Sequence, residues 1–249
     1  MKKNLLIVTL AASTLPVLFQ SCGNKGDEDV VYYGIATVEN PDSVTRFSFV
    51  HDNGTRLNVT ESDLQDRNYK PADGQRIIPY YTILPSNAEE GNVRLLSIYE
   101  VLTKGVFEFT PGTTEAVRDS IGNDPVELLR MWVGSHYLNV EFVLLCNDDR
   151  IKHFINLVSD QTKSYTDNKV HLEFRHNDND DYPSYRNQGI ASFDLRPLQG
   201  QATDSINLVV HVKEYGTGEK THELTYKFAE ETPATGVAKP AAYNLLNVK

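Results

Sequence analysis

Residues 46–60, RFSFVHDNGTRLNVT, contain the pattern of a β-hairpin. Polar and apolar side chains alternate on both sides of Asp52-Asn53-Gly54, as they do in strands that bury one face. An Asn-Gly pair between two such arms is a strong hairpin signal, because these residues accept the positive φ that tight turns require. The sequence therefore predicts two antiparallel strands here and a β-rich domain around them.

Strand-like segments flank this hairpin on both sides. They read VVYYGIATVE at 30–39, QRIIPYYTILP at 75–85 and NVRLLSIYEVLT at 92–103. Five short strands with a small helical turn midway are typical of an OB-like β-barrel, and an open five-stranded sheet is the alternative. We predict the barrel over residues 30–105, followed by a connector at 106–124.

Residues 125–230 carry a second strand-rich pattern. Six strand-like runs follow at regular spacing, from SHYLNVEFVLLC at 135–146 to KTHELTYKFA at 220–229. Gly216-Thr217-Gly218 predicts a hairpin between the last two runs. Asp124 and Pro125 suit the N-cap and the first position of a short helix. The prediction is an all-β chain, with an antiparallel β-sandwich and one short helix in this half and a loosely held tail at 231–249.

The N-terminal residues have the organisation of an export signal. Two lysines precede an apolar stretch at 5–19 that is too short and too interrupted for a spanning helix. Small residues flank Cys22, which resembles a bacterial lipobox, although Phe19 stands where Leu is usual. The alternative is an ordinary secretory signal beside an unmodified cysteine. We predict a signal peptide at 1–21, lipidation of Cys22, and a tether at 22–29.

The two cysteines are expected to have different roles. Cys146 is in phase with the alternating apolar residues of its run, which predicts a buried thiol. A mobile N-terminal tail is a poor disulfide partner for such a thiol, so Cys22 remains available as the membrane anchor. The net charge of −10 disfavours nucleic-acid binding and adsorption to anionic lipid head groups. Membrane attachment must then come from the acyl chains.

The densest cluster of hard oxygen atoms is RHNDNDDY at 175–182. Asp178, Asp180 and Asp181 offer carboxylates suitable for Ca²⁺. An EF-hand loop beginning at Asn177 would require Gly and Glu where this sequence has Tyr182 and Gln188, so that motif fails. The hypothesis is a weak ligand or ion loop, and its alternative is a solvated acidic loop between two strands.

Catalytic and cofactor motifs do not emerge from the sequence. It lacks a metalloprotease helix motif, a nucleophile elbow, a nucleotide fingerprint and a C-x-x-C pair. We therefore predict no cofactor and no enzymatic activity. His136, His153 and His171 are interpreted as structural histidines, and Trp132 as packing the short helix against the sandwich.

The series from Leu138 to Asn177 resembles the NigD-like lipoprotein family. Its most specific parts are YLNVEF, KHFINLV and VHLEFRHN. The resemblance implies an N-terminal OB domain, a C-terminal β-sandwich and an exported, lipid-anchored protein of the outer membrane. It carries over no site residues. The acidic residues at 27–29 resemble a signal for passage to the cell surface, and a solvated spacer is the alternative.

The resemblance also suggests what such a protein does. The leading hypothesis is a non-enzymatic binding or protective module that docks a protein partner, with bacteriocin immunity by family association. The second is a glycan-binding accessory lipoprotein of a surface nutrient-uptake system. An exposed aromatic patch on the barrel would favour it, drawn from Tyr32, Tyr33, Tyr80 and Tyr81. A third is an exported hydrolase, which requires a cleft with a nucleophile and an oriented histidine.

Overall fold

The computed structural model describes residues 30–43, 46–64, 69–84, 91–200, 202 and 204–229. The predicted signal peptide, Cys22, the tether and the C-terminal tail lie outside these residues. The described part of the chain contains no helix long and apolar enough to cross a membrane.

The N-terminal domain is a closed β-barrel. Its strands are β1 (Tyr32–Tyr33), β2 (Ala36–Ser43), β3 (Arg46–His51), β4 (Arg56–Ser62), β5 (Arg76–Ile83) and β6 (Asn92–Glu100). The order β5-β2-β3-β4-β6 closes through pairing of β6 with β5, and only β4 and β6 run parallel. The predicted OB-like barrel is confirmed, with the two-residue β1 added beside β5.

The predicted hairpin at Asp52-Asn53-Gly54 joins β3 to β4. The backbone N–H of His51 donates to the carbonyl of Thr55 at 2.9 Å, and Gly54 takes the positive φ of 81°. The inward residues of both strands, Phe47, Phe49, Leu57 and Val59, are buried in the barrel core. The period-2 pattern therefore identified the buried face correctly.

The C-terminal domain contains eight strands and the helix. They are β7 (Leu102–Phe109), α1 (Glu115–Ile121), β8 (Glu127–Gly134), β9 (Tyr137–Cys146), β10 (Phe154–Asp160), β11 (Val170–Asn177), β12 (Tyr185–Asp194), β13 (Ser205–Glu214) and β14 (Gly218–Lys227), with a 3-10 turn at Arg196–Leu198. The strand order is β14-β13-β11-β10-β7-β12-β9-β8. The predicted hairpin at 216–218 joins β13 to β14.

The eight strands fold over into a sandwich at β7. Its first half pairs with β12 and its second half with β10. Phe142 on β9 and Phe174 on β11 are four strand spacings apart, which is about 19 Å in a flat sheet. Their ring centroids are only 5.4 Å apart, so the two halves of the sheet face each other. The predicted sandwich is confirmed, but the pairings β7–β10, β7–β12 and β11–β13 are parallel rather than antiparallel.

The predicted helix after Asp124 is wrong. Residues Glu127–Gly134 form β8 and pair with β9 over most of their length. The helix instead spans Glu115–Ile121, where the hydroxyl of Thr114 caps it by accepting from the N–H of Val117 at 3.4 Å. Pairing with the buried strand β9 outweighs the local capping preference of Asp124-Pro125. The strand β7 also crosses residue 105, where we expected the barrel to end.

Gly122 ends the helix and lets the chain pass close to strand β11, and substitution of this glycine tests that contact. Its φ is +71°, and an added Cβ would lie 2.6 Å from the carbonyl oxygen of His176. Gly216 has a similar φ of +73° but nothing within 4 Å of an added Cβ. We expect Gly216→Ala to cost about 1 kcal/mol through its backbone conformation alone. Gly122→Ala is expected to lose a further 1–3 kcal/mol, roughly, because its ψ of −178° places it in a region almost confined to glycine and because the backbone of β11 must move. Urea denaturation measures both, and equal losses would contradict the described contact.

Candidate functional site

A buried ion pair stands where the two domains meet. Arg76 begins β5 in the barrel, and its side chain is completely buried. Its two terminal nitrogens donate to the two carboxylate oxygens of Asp52, in the β3–β4 turn, at 2.6 and 3.0 Å. This bidentate geometry suits an Arg–carboxylate pair held away from water.

The sandwich domain completes the network through Asn139 on β9. The amide oxygen of Asn139 accepts from Nη2 of Arg76 at 2.9 Å and from the Ser192 hydroxyl at 2.6 Å. Its amide nitrogen donates to Asp52 at 2.8 Å. The guanidinium carbon of Arg76 lies 4.5 Å from the ring centroid of Tyr137. Side chains of both domains therefore share one set of hydrogen bonds.

We call the contact surface between the two domains the seam, and an apolar cluster extends it beyond the hydrogen-bond network. Ile35 and Ile78 of the barrel pack with Ile190 of the sandwich, and Trp132 lies against them. Trp132 belongs to strand β8, so the prediction that it packs a short helix against the sandwich is wrong. At Gly134 the backbone of β8 comes so close that an added Cβ would lie 2.6 Å from Asp52.

A cleft of about 350 Å³ opens beside this network. The barrel supplies Val50 and Asp52, and the sandwich supplies the β8–β9 turn and the end of β14. The turn residues Ser135 and His136 have φ values of 43° and 70°. Two consecutive positive φ values fit a type I′ turn, which usually contains Asn or Gly. Backbone strain of this kind is found at functional sites, so the turn marks the cleft as a candidate binding site.

A second constellation surrounds Cys146, at the end of β9. A ring nitrogen of His153 and a carboxylate oxygen of Asp181 lie with its sulfur in a group whose ligand atoms are all within 4.8 Å of one another. The carboxylate of Asp181 is held by the backbone N–H groups of Asn147 at 2.8 Å and Asp148 at 3.2 Å. The Asn147 bond contributes most to the lowered pKa of Asp181.

The structure separates the three carboxylates of the predicted ion loop. Asp181 points inward toward Cys146 and His153, and its side chain is buried. Asp178 instead accepts from the backbone N–H of Asp180 at 2.9 Å, and Asp180 is exposed. Both line a polar depression beside helix α1. No group of three metal-ligating side chains among the described residues combines these three aspartates.

The thiol of Cys146 is buried, as predicted. Burial, with the nearby charge of Asp181 as the next cause, raises the pKa of this thiol. A raised pKa keeps the thiol protonated, which is the unreactive form. His176 lies behind His153, with Nδ1 3.2 Å from the carbonyl oxygen of Pro125. Burial is the main cause that lowers the pKa of His176, and its electrostatic interaction with His153 acts in the same direction.

The four barrel tyrosines do not form one exposed patch. Tyr81 is fully buried and stacks on Tyr32, with ring centroids 5.9 Å apart. Tyr33 and Tyr80 stack on each other at 4.9 Å and pack against the seam between the domains. The ring of Tyr99, which sequence analysis did not single out, contacts Tyr80 and is exposed.

Comparison with protein families covers both domains. The model of the NigD-like N-terminal OB domain matches residues 35–101, and that of the NigD-like C-terminal beta sandwich domain matches residues 108–226. The chain belongs to the NigD-like family. A search of curated proteins gives no match.

Solved structures share this NigD-like arrangement. A toxin-related protein of Parabacteroides distasonis is 28% identical, with a TM-score of 0.66 over 79% of this chain and 93% of its own. A Bacteroides vulgatus protein of unknown function is 29% identical, with a TM-score of 0.65 over 84% and 96%. A NigD-like immunity protein of Bacteroides caccae, at 18% identity and a TM-score of 0.60 over 81% and 98%, shares the fold.

Sequence reasoning missed the residues that join the two NigD-like domains. Arg76 opens an apolar strand, and Asn139 interrupts the apolar run YLNVEFVLL. A polar residue on the buried face of a strand requires a hydrogen-bonding partner, which was the available signal. The partners lie 24 and 63 residues from Arg76 along the chain, so the sequence could not name them.

Replacing Arg76 by Met tests the seam. Arg76→Met keeps the aliphatic volume but leaves Asp52 without its buried cation, so we expect a loss of about 3–5 kcal/mol in the free energy of unfolding. Arg94→Met is the matched control, because Arg94 also binds an aspartate, Asp63, through two nitrogens but is 46% exposed. The control should lose less than about 1 kcal/mol. Similar losses in urea denaturation would show that burial of the Arg76 pair has no special effect.

Proposed function

We propose that this NigD-like protein is a lipid-anchored outer-membrane protein, exposed at the cell surface, that acts as a non-enzymatic binding module. Its partner is a protein, and binding protects the cell against a bacteriocin. The observation that carries the proposal is the cleft between the two domains. The family membership and the immunity protein of the same fold support the protective role.

The cleft is suited to hold a segment of a partner without rearranging. Its two walls come from different domains, and the Arg76, Asp52 and Asn139 hydrogen bonds fix their relative position. A preformed site loses less conformational entropy on binding than a flexible one. Its volume of about 350 Å³ suits one or two inserted side chains. These properties favour a peptide segment at the surface of a protein partner.

The chemistry of the other constellation is consistent with a non-enzymatic role. Cys146, His153 and Asp181 are the residue types of a nucleophilic triad. A nucleophilic cysteine requires a lowered pKa and access to substrate. Cys146 is 6% exposed, and its pKa is raised. The burial and the raised pKa of Cys146 therefore favour a structural role for this group of side chains.

Substitution of Cys22 tests the anchor. Cys22→Ser removes the thiol that would carry the acyl chains, and with it a gain of about 0.8 kcal/mol for each buried CH₂ group. We expect the variant to leave the membrane fraction and appear in the soluble fraction. Cys146→Ser, at the other cysteine, should remain with the membranes. Fractionation and immunoblotting measure both, and a membrane-bound Cys22→Ser protein would refute the anchor.

Filling the cleft tests the binding role. Thr225 and Thr221 are exposed on the same face of β14, but only Thr225 lines the cleft. The gene for this protein is deleted, and the deletion strain is complemented with each variant. Each complemented strain is then challenged with bacteriocin-containing supernatants. Thr225→Trp should lose at least about tenfold in protection, equivalent to 1.4 kcal/mol of binding. Thr221→Trp should protect like the unmodified chain.

The outcomes of this challenge distinguish the hypotheses. Unchanged sensitivity of the deletion strain across a broad supernatant panel would remove the immunity proposal. Full protection by Thr225→Trp would place the partner outside the cleft. Binding of the purified protein to a glycan array, together with unchanged bacteriocin sensitivity, would favour the accessory role in glycan uptake.

A further inference from the structure

The end of strand β9 and two loops bring a cysteine, a histidine and an aspartate together in the sandwich domain. Cys146 ends β9, His153 precedes β10, and Asp181 lies between β11 and β12. Their ligand atoms lie within 4.8 Å of one another. Cys146 is 6% exposed, and the side chains of His153 and Asp181 are 7% and 1% exposed. These three side chains form what we call the Cys146 cluster, which lies apart from the lining of the interdomain cleft.

With neutral imidazoles, the hydrogen bonds around the Cys146 cluster leave two acceptors facing each other with no hydrogen between them. Nδ1 of His176 lies 3.2 Å from the carbonyl oxygen of Pro125, which can only accept, so this nitrogen carries hydrogen. In neutral His176 the other nitrogen, Nε2, is then an acceptor. It lies 2.8 Å from Nδ1 of His153, which must donate to it. Nε2 of His153 is left with its lone pair.

That lone pair faces another acceptor. Nε2 of His153 lies 3.2 Å from the carboxylate oxygen Oδ2 of Asp181. Two acceptors at this distance repel each other unless a proton or a metal cation lies between them. The same arrangement is usual for a metal-binding histidine, whose second ring nitrogen donates to a nearby acceptor that fixes the ring. Here His176 is that acceptor, and the carbonyl of Pro125 fixes His176 in turn.

We propose that Cys146, His153 and Asp181 bind one divalent transition-metal ion of the zinc class. Two ligands of a tetrahedral zinc ion at bond lengths of about 2.05 Å stand about 3.3 Å apart. The separation of Nε2 and Oδ2 is 3.2 Å, which matches. The cysteine sulfur supplies the third ligand, and a water molecule would complete the tetrahedron. Binding of the ion releases the thiol proton to solvent, and the divalent charge then neutralises the thiolate and the carboxylate together.

The donor set determines which metal the cluster selects. A thiolate and an imidazole favour zinc and neighbouring transition metals. Ca²⁺ and Mg²⁺ prefer sites made of oxygen atoms, and this cluster offers oxygen from only one side chain. Cys146 and His153 lie at the two ends of the β9–β10 connection and Asp181 lies in the β11–β12 connection, so a bound ion would tie these two connections to each other. Such a link would stabilise this end of the sandwich.

Cobalt titration tests the site directly. The full chain carrying Cys22→Ser keeps Cys146 as its only thiol, because the sequence has two cysteines. After removal of metal with a chelator, added Co²⁺ should give thiolate-to-cobalt charge-transfer absorption and tetrahedral d–d bands. Both should saturate at one ion per chain and disappear when Zn²⁺ is added. A folded protein that shows no such bands would refute the proposal, and the cluster would then hold an imidazolium–carboxylate pair.

Substitutions in the same Cys22→Ser background assign the ligands. Cys146→Ser should abolish the charge-transfer band, and His153→Gln or Asp181→Asn should lower cobalt affinity at least about tenfold. His176→Phe removes the acceptor for His153 and should weaken binding about 10- to 100-fold. Circular dichroism checks that each variant is folded. Charge transfer that survives Cys146→Ser, or unchanged affinity in folded His153→Gln, would overturn the assignment.

A control separates this site from other histidines. His171 and His211 lie close together elsewhere in the sheet, with ring nitrogens 3.0 Å apart. Metal bound there would produce no thiolate charge transfer, so His211→Gln should leave the band unchanged.

Stability provides a readout that needs no substitution in the cluster. When free Zn²⁺ is 100 times its Kd, the unfolding equilibrium constant should be about 100-fold lower than that of the metal-free protein. Ca²⁺ and Mg²⁺ at the same concentration should give no shift. An equal response to all three ions, or none to zinc, would contradict a site built from thiolate and imidazole.

Discussion

The buried charge of Arg76 constrains how the two domains can meet. A guanidinium withdrawn from water is tolerated only where acceptors surround it. Asp52 supplies two oxygens from the barrel, and Asn139 supplies one from the sandwich. Rotation of either domain would break the Asn139 bonds and leave buried polar groups unpaired. The network therefore selects one relative orientation of the domains.

The hydrogen bonds of the same network are incomplete, so it supplies only part of the free energy that stabilises the contact. Among the described residues, Nε of Arg76 finds no hydrogen-bond acceptor, which costs free energy in a buried site. Replacement of a buried ion pair by apolar side chains is often neutral or stabilising. The favourable free energy at the seam then comes from the apolar contacts of Ile35, Ile78 and Ile190. The ion pair contributes orientation, and orientation is what a preformed cleft between domains requires.

Local patterns in the sequence predicted the local features of the fold. Alternation around Asp52-Asn53-Gly54 identified a hairpin and its buried face, and the phase of Cys146 identified a buried thiol. The features that failed depend on distant partners. Asp181 was grouped with Asp178 and Asp180 by composition, but its buried position depends on backbone N–H groups more than 30 residues away. The parallel pairings that place β7 between β10 and β12 likewise join strands far apart in sequence.

The misassigned helix shows how one segment can serve both the fold and the metal site. Asp124 and Pro125 have the local chemistry of a helix start, but their backbone groups bind neighbouring strands. The N–H of Asp124 donates to the carbonyl of His176 at 2.8 Å, and the N–H of Val126 donates to that of Lys213 at 2.9 Å. These bonds hold the segment extended and place the carbonyl of Pro125 against Nδ1 of His176. Because that carbonyl can only accept, it sets the direction of donation through His176 to His153. A helix beginning at Asp124 would withdraw this carbonyl and remove the orientation of the lone pair that faces Asp181.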